Sequence, residues 1–400
     1  MAALVLSATV GITGERAHAQ ISDGVVRIGV LNDETGTYAA LAGPGSRVAA
    51  LMAVEDFGAA AKGLAVEIVF ADHQNKPEVG AKIAREWFDA GKVDVIVDVP
   101  TSSVALAVSQ IAREKGKALL VSSGASSDLT GKACSPNTIH WTYDTWALAN
   151  GTGKALVKSG GDTWFFLTAN YVFGLGLERD VEAVVLANGG KVLGKVRHPF
   201  PTADFSSYLL EAQASHAKII GLANAGADTT NAIEQGTRLG TVQRGQNFAG
   251  LLVFLTDVHG LGLTKAQGLI LTEAFYRDLD AQTREWSARF ARRHWGAMPT
   301  MGQAGVYSSV LHYLKAVEAL KSDDGTAVIA KMKALPTDDA LFGKGTVRED
   351  GRKIHPMYLF EVKKPAESKG PWDLYKLRAT IPAAEAFRPL SQSDCPLVKK

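Results

Sequence analysis

"VDVPTSSVALA", residues 97–107, is the stretch that decides how this chain folds. An apolar, valine-rich run ("VDVIVDV", 93–99) meets Pro100 and then three hydroxyls, Thr101, Ser102 and Ser103. A short β-branched run of this kind reads as a buried strand, and the proline stops it. The following "SVALAVSQIAREKG" sets its apolar residues at helical spacing. Strand, tight turn and helix in this order form the repeating piece of an α/β protein. The hydroxyls have two readings. Ser and Thr cap helix N-termini routinely, but the carboxyl end of a strand in an open α/β sheet is also where ligands bind.

The same rhythm extends in both directions. Before the stretch come strand candidates "VVRIGVL" (25–31) and "LAVEIVF" (64–70), and after it "KALLVSS" (117–123). "GSRVAALMAVEDFGAA" and "PEVGAKIAREWFDAG" supply the helices between them. A second block repeats the pattern with "TWFFLT" (163–168), "KVLGKVRH" (191–198), "AKIIGLA" (217–223) and "FAGLLVFL" (248–255), and predicts helices over 174–189, 205–215 and 229–240. Two parallel α/β sheets in tandem are therefore expected. Residues 281–334 then give helices with no strand of their own, which must pack on a sheet already built. "GTVREDGRKIHPMYLFEVKK" (345–364) reads as a short hairpin.

Bulk properties narrow the function. The chain has 400 residues, 46% hydrophobic and 21% charged, enough for two domains. Its 43 basic residues nearly balance 41 acidic ones, with no dense basic block, so nucleic acid is a poor partner. The first residues, "MAALVLSATVGI" followed by a small-x-small site at Ala17-His18-Ala19, read as a secretory signal over 1–19. Its basic n-region is missing, as it would be if the start codon were placed too far downstream. At about a dozen apolar residues the run is short of the ~20 that span a bilayer, so a soluble, exported protein is expected. Two cysteines, Cys134 and Cys395, lie in polar, proline-containing contexts. In an oxidising compartment they would pair and fasten the C-terminal tail to the body; in a cytosolic protein they would be two unrelated thiols.

Enzyme signatures fail in turn. "NGTGKAL" (150–156) imitates a phosphate loop, but Leu148 stands where the leading glycine belongs and Ala155 where Ser or Thr belongs. In "FGLGLERD" (173–180) Arg179 occupies the place of the third glycine of a dinucleotide fingerprint. No HExxH pair, zinc set or GxSxG elbow is present. No cofactor, metal or catalytic set is expected, so the chain is read as a non-enzyme. What the sequence does hold is a series of polar loops at strand carboxyl ends: "NDETGTYAALAGPG" (32–45), "DHQNKP" (72–77), "PTSS" (100–103), "SGASSDLTG" (123–131), "ANYVFG" (169–174), "NAGADTT" (224–230) and "TDVHG" (256–260). One such loop alone reads as N-capping. Two serine-rich loops after adjacent strands favour a ligand, and free N–H groups at helix N-termini favour an anion.

Taken together, residues 25–365 resemble the periplasmic solute-binding proteins of the branched-chain amino-acid type, which serve ATP-binding-cassette importers. The most specific parts are "VDVIVDVPTSSVALAVSQIAREKGKALLVSSGASSDLT" (93–130) and "TANYVFGLGLERDVEAVVLANGGKVLGK" (168–195). The resemblance implies a type I periplasmic-binding-protein fold: two doubly wound parallel-sheet lobes joined by three hinge crossovers. It implies a first lobe of 25–143 plus 278–350, a second of 144–277 plus 351–375, and a tail of 376–400. It also implies a monomeric receptor for a small carboxylate that delivers its ligand to a membrane permease. Carried over by position, Thr101 with Val99 and Pro100, and Gly124, Ala125 and Ser126, would hold the carboxylate. Tyr38 and Phe173 match the family's cleft aromatics.

Two departures bear on the ligand. Amino-acid binders carry a tyrosine where this chain has Asn224, Ala225 and Gly226, and an acid for the ammonium where Asp257 is an approximate substitute. The lost bulk leaves room for a flatter ligand, against which Phe173, Phe275 and Tyr276 could stack, with Asp228 as a further polar candidate. The sequence is similar to the family's aromatic-acid-binding branch, so an aromatic acid is expected, with a branched-chain amino acid as the alternative. A ligand-sensing domain of a signalling system is the remaining reading. Each of these residues also has a plainer reading: Tyr38 a surface loop residue, Phe173 a packing staple, Phe275 and Tyr276 inter-lobe core, Asp228 a helix cap.

Overall fold

A computed structural model describes residues 21–399; the expected signal segment lies outside them. The first lobe is built on strands β1 (Val25–Asn32), β2 (Ala65–Asp72), β3 (Val95–Asp98), β4 (Ala118–Val121) and β5 (Thr138–His140). All are parallel, in the order β2-β1-β3-β4-β5. The second is built on β6 (Thr163–Ala169), β7 (Lys191–His198), β8 (Ile219–Ala223) and β9 (Asn247–Gly250), again parallel, in the order β7-β6-β8-β9. Burial follows position in the sheet. Every residue of β3, β4 and β8 is buried, whereas edge strands β2 and β7 mix partly buried and exposed positions, with His198 at the end of β7 fully buried. Strands covered by helices on both faces are apolar except where a buried polar group finds partners, as Asp98 does at the end of β3, and edge strands need only one apolar face.

Helices Gly43–Phe57, Pro77–Asp89 and Ser102–Lys115 connect the first sheet, and Val172–Ala187, Ser206–Ala214 and Ala227–Arg238 the second. The phosphate-loop look-alike is helical: a wide turn over Ala149–Gly153 joins helices Thr145–Leu148 and Lys154–Lys158. The expected strand 248–255 is shorter, ending at Gly250, because the Asp257 carboxylate accepts the Phe254 N–H (2.9 Å) and starts the helix Leu255–Leu261.

Strand β10 (Ile270–Glu273) completes the first pass through the second lobe, after which the chain returns. Helices Ala281–Arg293, Met301–Leu320 and Gly325–Ala334 add to the first lobe, the middle one packing along Gly43–Phe57. The expected hairpin divides. Strands β11 (Thr337–Asp339), β12 (Gly343–Val347) and β13 (Lys353–Ile354) form a small antiparallel sheet on the first lobe. Only beyond Pro356 does β14 (Met357–Val362) cross over to pair with β10 and with β15 (Tyr375–Ile381). Residues 351–355, expected in the second lobe, thus stay with the first, and 376–381, expected in the tail, form a strand of the second. From Pro382 the chain crosses once more. Phe387 is buried under the Arg352 guanidinium (4.4 Å), and Cys395 is disulfide-bonded to Cys134 of the first lobe. Among the described residues no helix is long and apolar enough to cross a membrane.

Candidate functional site

In each lobe the strand order reverses once, between β1 and β3 and between β6 and β8. Loops leaving such a reversal diverge and open a crevice at the strands' carboxyl ends. The two crevices face each other across a cavity of about 210 Å³ lined by Tyr38, Leu41, Pro100, Ser123, Ala125, Tyr143, Tyr171, Phe173, Ala225 and Leu252. An outer part of the cleft, about 900 Å³, passes Thr37, Gly226, Thr230, Glu234, Thr256 and Asp257.

Five expected residues line the inner cavity: Tyr38, Pro100, Ala125, Phe173 and Ala225. Tyr38 is held by a turn in which the Asp33 carboxylate accepts its N–H (2.7 Å) and that of Gly36 (2.8 Å). Its hydroxyl meets that of Tyr171 across the cleft. Thr101 is fully buried at the N-terminus of helix Ser102–Lys115, but its hydroxyl donates to Asn75 Oδ1, and Asn75 in turn donates to Asp33 (2.6 Å). Its side chain therefore ties the loops after β1, β2 and β3 together. Ser126 caps a short turn by accepting the Asp128 N–H (3.3 Å), which leaves its own proton available to an anion.

Val99 and Gly124 act through backbone shape. Asp98 and Val99 both adopt left-handed conformations, with φ 82° and 51°. For a β-branched residue this is a genuine outlier, costing on the order of 1–3 kcal/mol. The strain is held by Asp98, fully buried, which accepts hydrogen bonds from Ser123 Oγ (2.6 Å) and Asn32 Nδ2 (3.4 Å). Gly124 passes so close to the Val99 carbonyl that a Cβ would sit 2.7 Å from it.

The remaining candidates lie behind the cavity wall. The Asn224 amide donates to His198 Nε2 (3.1 Å) and accepts from Thr229 (2.6 Å). His198 in turn gives its Nδ1 proton to the Pro199 carbonyl (2.8 Å). Asp228 accepts the Thr202 N–H (3.1 Å), and its other oxygen stands 3.8 Å from His198 Nδ1. Burial pushes the Asp228 carboxyl up to about 7 and holds the His198 imidazole below its ordinary value, so this approach is not an ion pair at neutral pH. Phe275 packs edge-on against Trp286 (5.8 Å) and Tyr276 against Phe360 and Tyr375 (5.2 and 5.0 Å), which places both rings in core rather than on the cavity.

Leu41, Ser123, Tyr143, Tyr171 and Leu252 line the cavity without having been singled out from the sequence. Tyr171, Ser123 and Leu41 lie within polar loops that were. Tyr143 belongs to the first crossover, where its hydroxyl donates to the Ser123 carbonyl (2.5 Å), and Leu252 falls in a run read as strand. Among the described residues no group of three or more His, Cys, Asp or Glu is placed to hold a metal ion.

Three buried carboxyls set a pH dependence. Burial raises Asp98 to about 6, and Asp228 and Asp257 to about 7, from an ordinary 3.8. The folded protein then holds more protons than the unfolded chain between these values. Stability from these groups is full below about pH 4 and is lost as pH rises through 6 to 7. The Asp228→Asn variant is expected to show a flatter decline of melting temperature over pH 4–7 than the parent in differential scanning calorimetry. An unchanged slope would remove Asp228 from this account.

The chain is similar to known proteins along nearly its whole length. A family model described as periplasmic binding protein matches residues 25–370. The Leu/Ile/Val-binding protein homolog 6 of Brucella melitensis is 24% identical, over 85% of this chain and 88% of that protein. A periplasmic binding protein from Burkholderia mallei is 48% identical, with 94% and 100% covered and a TM-score of 0.91. A branched-chain amino acid ABC transporter periplasmic ligand-binding protein from Burkholderia xenovorans is 40% identical, with 93% and 99% covered and a TM-score of 0.82. The fold is also that of an ABC transporter solute-binding protein from R. palustris solved in complex with benzoate, 20% identical, with 94% and 100% covered and a TM-score of 0.82.

Proposed function

This chain belongs to the periplasmic binding protein family, and from that premise we propose that its cleft captures an aromatic acid of the benzoate or cinnamate kind. The family and fold are those of substrate-binding receptors, not enzymes, so the ligand leaves as it came. Exported to the periplasm and monomeric, the protein would hand the acid to the permease of an ATP-binding-cassette importer.

The observation that carries this reading is the cavity lining. Four aromatic rings (Tyr38, Tyr143, Tyr171 and Phe173) wall the cavity, and no acidic side chain is among the lining residues. A benzoate ring could stack on the aromatic walls. Its carboxylate would face the Ser126 hydroxyl and the N-terminus of helix Ser102–Lys115, whose dipole favours negative charge. The ammonium of an amino acid would lose its hydration in the same space with no carboxylate to replace it. A branched-chain amino acid is the second reading, favoured by Asp257 and Glu234 in the outer cleft.

Titration calorimetry with benzoate, cinnamate and leucine distinguishes the two. Benzoate or cinnamate is expected to bind more tightly than leucine, and leucine alone binding tightly would defeat the aromatic reading. Ser126→Ala is expected to weaken carboxylate binding about 10- to 100-fold, the worth of a hydrogen bond to a charged group.

A further inference from the structure

Resting on the reading that the cleft closes over a small acid, we propose that Phe200 is the clasp that keeps it closed. Phe200 lies in the loop after β7 and is not among the residues lining the cavity. Its ring stacks on Tyr171 of its own lobe, with centroids 4.6 Å apart and planes within 20°. It also stacks on Tyr38 of the opposite lobe, at 5.3 Å and 26°. The half-buried Phe200 ring thus bridges the lobes and backs two of the rings that wall the cavity.

Both sides of this stack are rigidly mounted. The Phe200 loop is pinned to helix Ala227–Arg238 at three points. The Thr202 N–H donates to Asp228 (3.1 Å), the Phe205 N–H to Gln235 Oε1 (2.7 Å), and Gln235 Nε2 to the Ala203 carbonyl (2.7 Å). Thr202 Oγ1 also bonds the Pro199 carbonyl (2.6 Å) within the loop. On the first lobe the Asp33 turn fixes Tyr38. Neither ring can follow the other when the lobes part. Opening therefore breaks the Tyr38–Phe200 stack and leaves the Tyr171–Phe200 stack intact. Phe200 is a positioning residue: it stands outside the cavity lining, and its effect falls on the escape of ligand rather than on its entry.

Single-molecule energy transfer between dyes on the two lobes tests this with no ligand and with benzoate or leucine present. F200A is expected to shorten the closed-state dwell about tenfold, the worth of one aromatic stack with its buried surface, and to leave the open-state dwell unchanged. F200Y, which keeps the ring, is expected to restore the parent dwell. Stopped-flow binding should show the same split, with faster release and an unaltered association rate. A closed dwell equal to the parent's, or a change confined to the open dwell, would overturn the clasp. Should F200A fail to fold, F200L keeps apolar bulk without the stack and is read in the same way. If the parent binds neither benzoate nor leucine, the ligand reading fails, while the ligand-free dwell times still decide the clasp.

Discussion

Gly226→Ala is expected to weaken ligand capture by 100-fold or more while leaving each lobe folded. Gly226 precedes helix Ala227–Arg238 in the second lobe, at φ 59° and ψ −134°. A Cβ at this position would stand 2.4 Å from the Thr37 carbonyl oxygen and 3.1 Å from the Tyr38 ring, both on the first lobe. The next residue, Ala227, gives its N–H to that same carbonyl (3.4 Å). A methyl group here acts as a wedge between the lobes. Since each tenfold in affinity is about 1.4 kcal/mol, a 100-fold loss asks for roughly 3 kcal/mol. A clash with a fixed backbone carbonyl readily supplies that. The backbone itself costs on the order of 1–3 kcal/mol in a conformation that only glycine adopts freely, so a modest fall in melting temperature accompanies the loss. Calorimetric titration beside a thermal melt separates the two effects. A dissociation constant within threefold of the parent's would show that the lobes do not meet at Gly226 in the liganded state.

The second large effect belongs to the tail. Replacing both Cys134 and Cys395 by alanine is expected to cost about 2–5 kcal/mol, read as a lower midpoint in chemical denaturation. The bond closes a loop across 261 positions and ties a segment leaving the second lobe to the first. It acts mainly by limiting the unfolded chain, so the entropy removed grows with loop length. Cys134 and Cys395 are both buried and neither lines the cavity, so ligand affinity at ambient temperature should change little. A denaturation midpoint unmoved by the substitutions would count against this account.

Much of this architecture is legible in the amino-acid order, for a physical reason. Strands buried on both faces, such as Ala118–Val121 and Ile219–Ala223, must be apolar along their length, and the helices between them show their covered faces by spacing. Short strands such as Thr138–His140 and Ile270–Glu273 carry no such pattern, because pairing with neighbours defines them more than their own residues do. The site was legible in its loops more than in its side chains. "PTSS" and "SGASS" do border the cavity, yet the Thr101 hydroxyl is spent on Asn75, a partner 26 positions away that no local rule connects to it. Nor does a valine advertise a left-handed backbone: Asp98 and Val99 adopt it against their own preference because buried partners hold the turn. Tyr143 enters the cavity from a crossover that only the packing of two lobes creates.

The placement of the two ends has a mechanical consequence. Ser22 is hydrogen-bonded to Asp323, and Cys395 is bonded to Cys134, so both ends of the described chain are anchored on the same lobe. A load applied between them would run through residues 22–134 and across the disulfide. It could pay out about 110 residues, on the order of 400 Å of contour. Everything between the two cysteines, the whole of β6 to β10 included, lies off that force path. Under tension, the half of the cleft that carries Tyr171 and Phe173 would be shielded, and the half that carries Tyr38 and Pro100 would bear the strain.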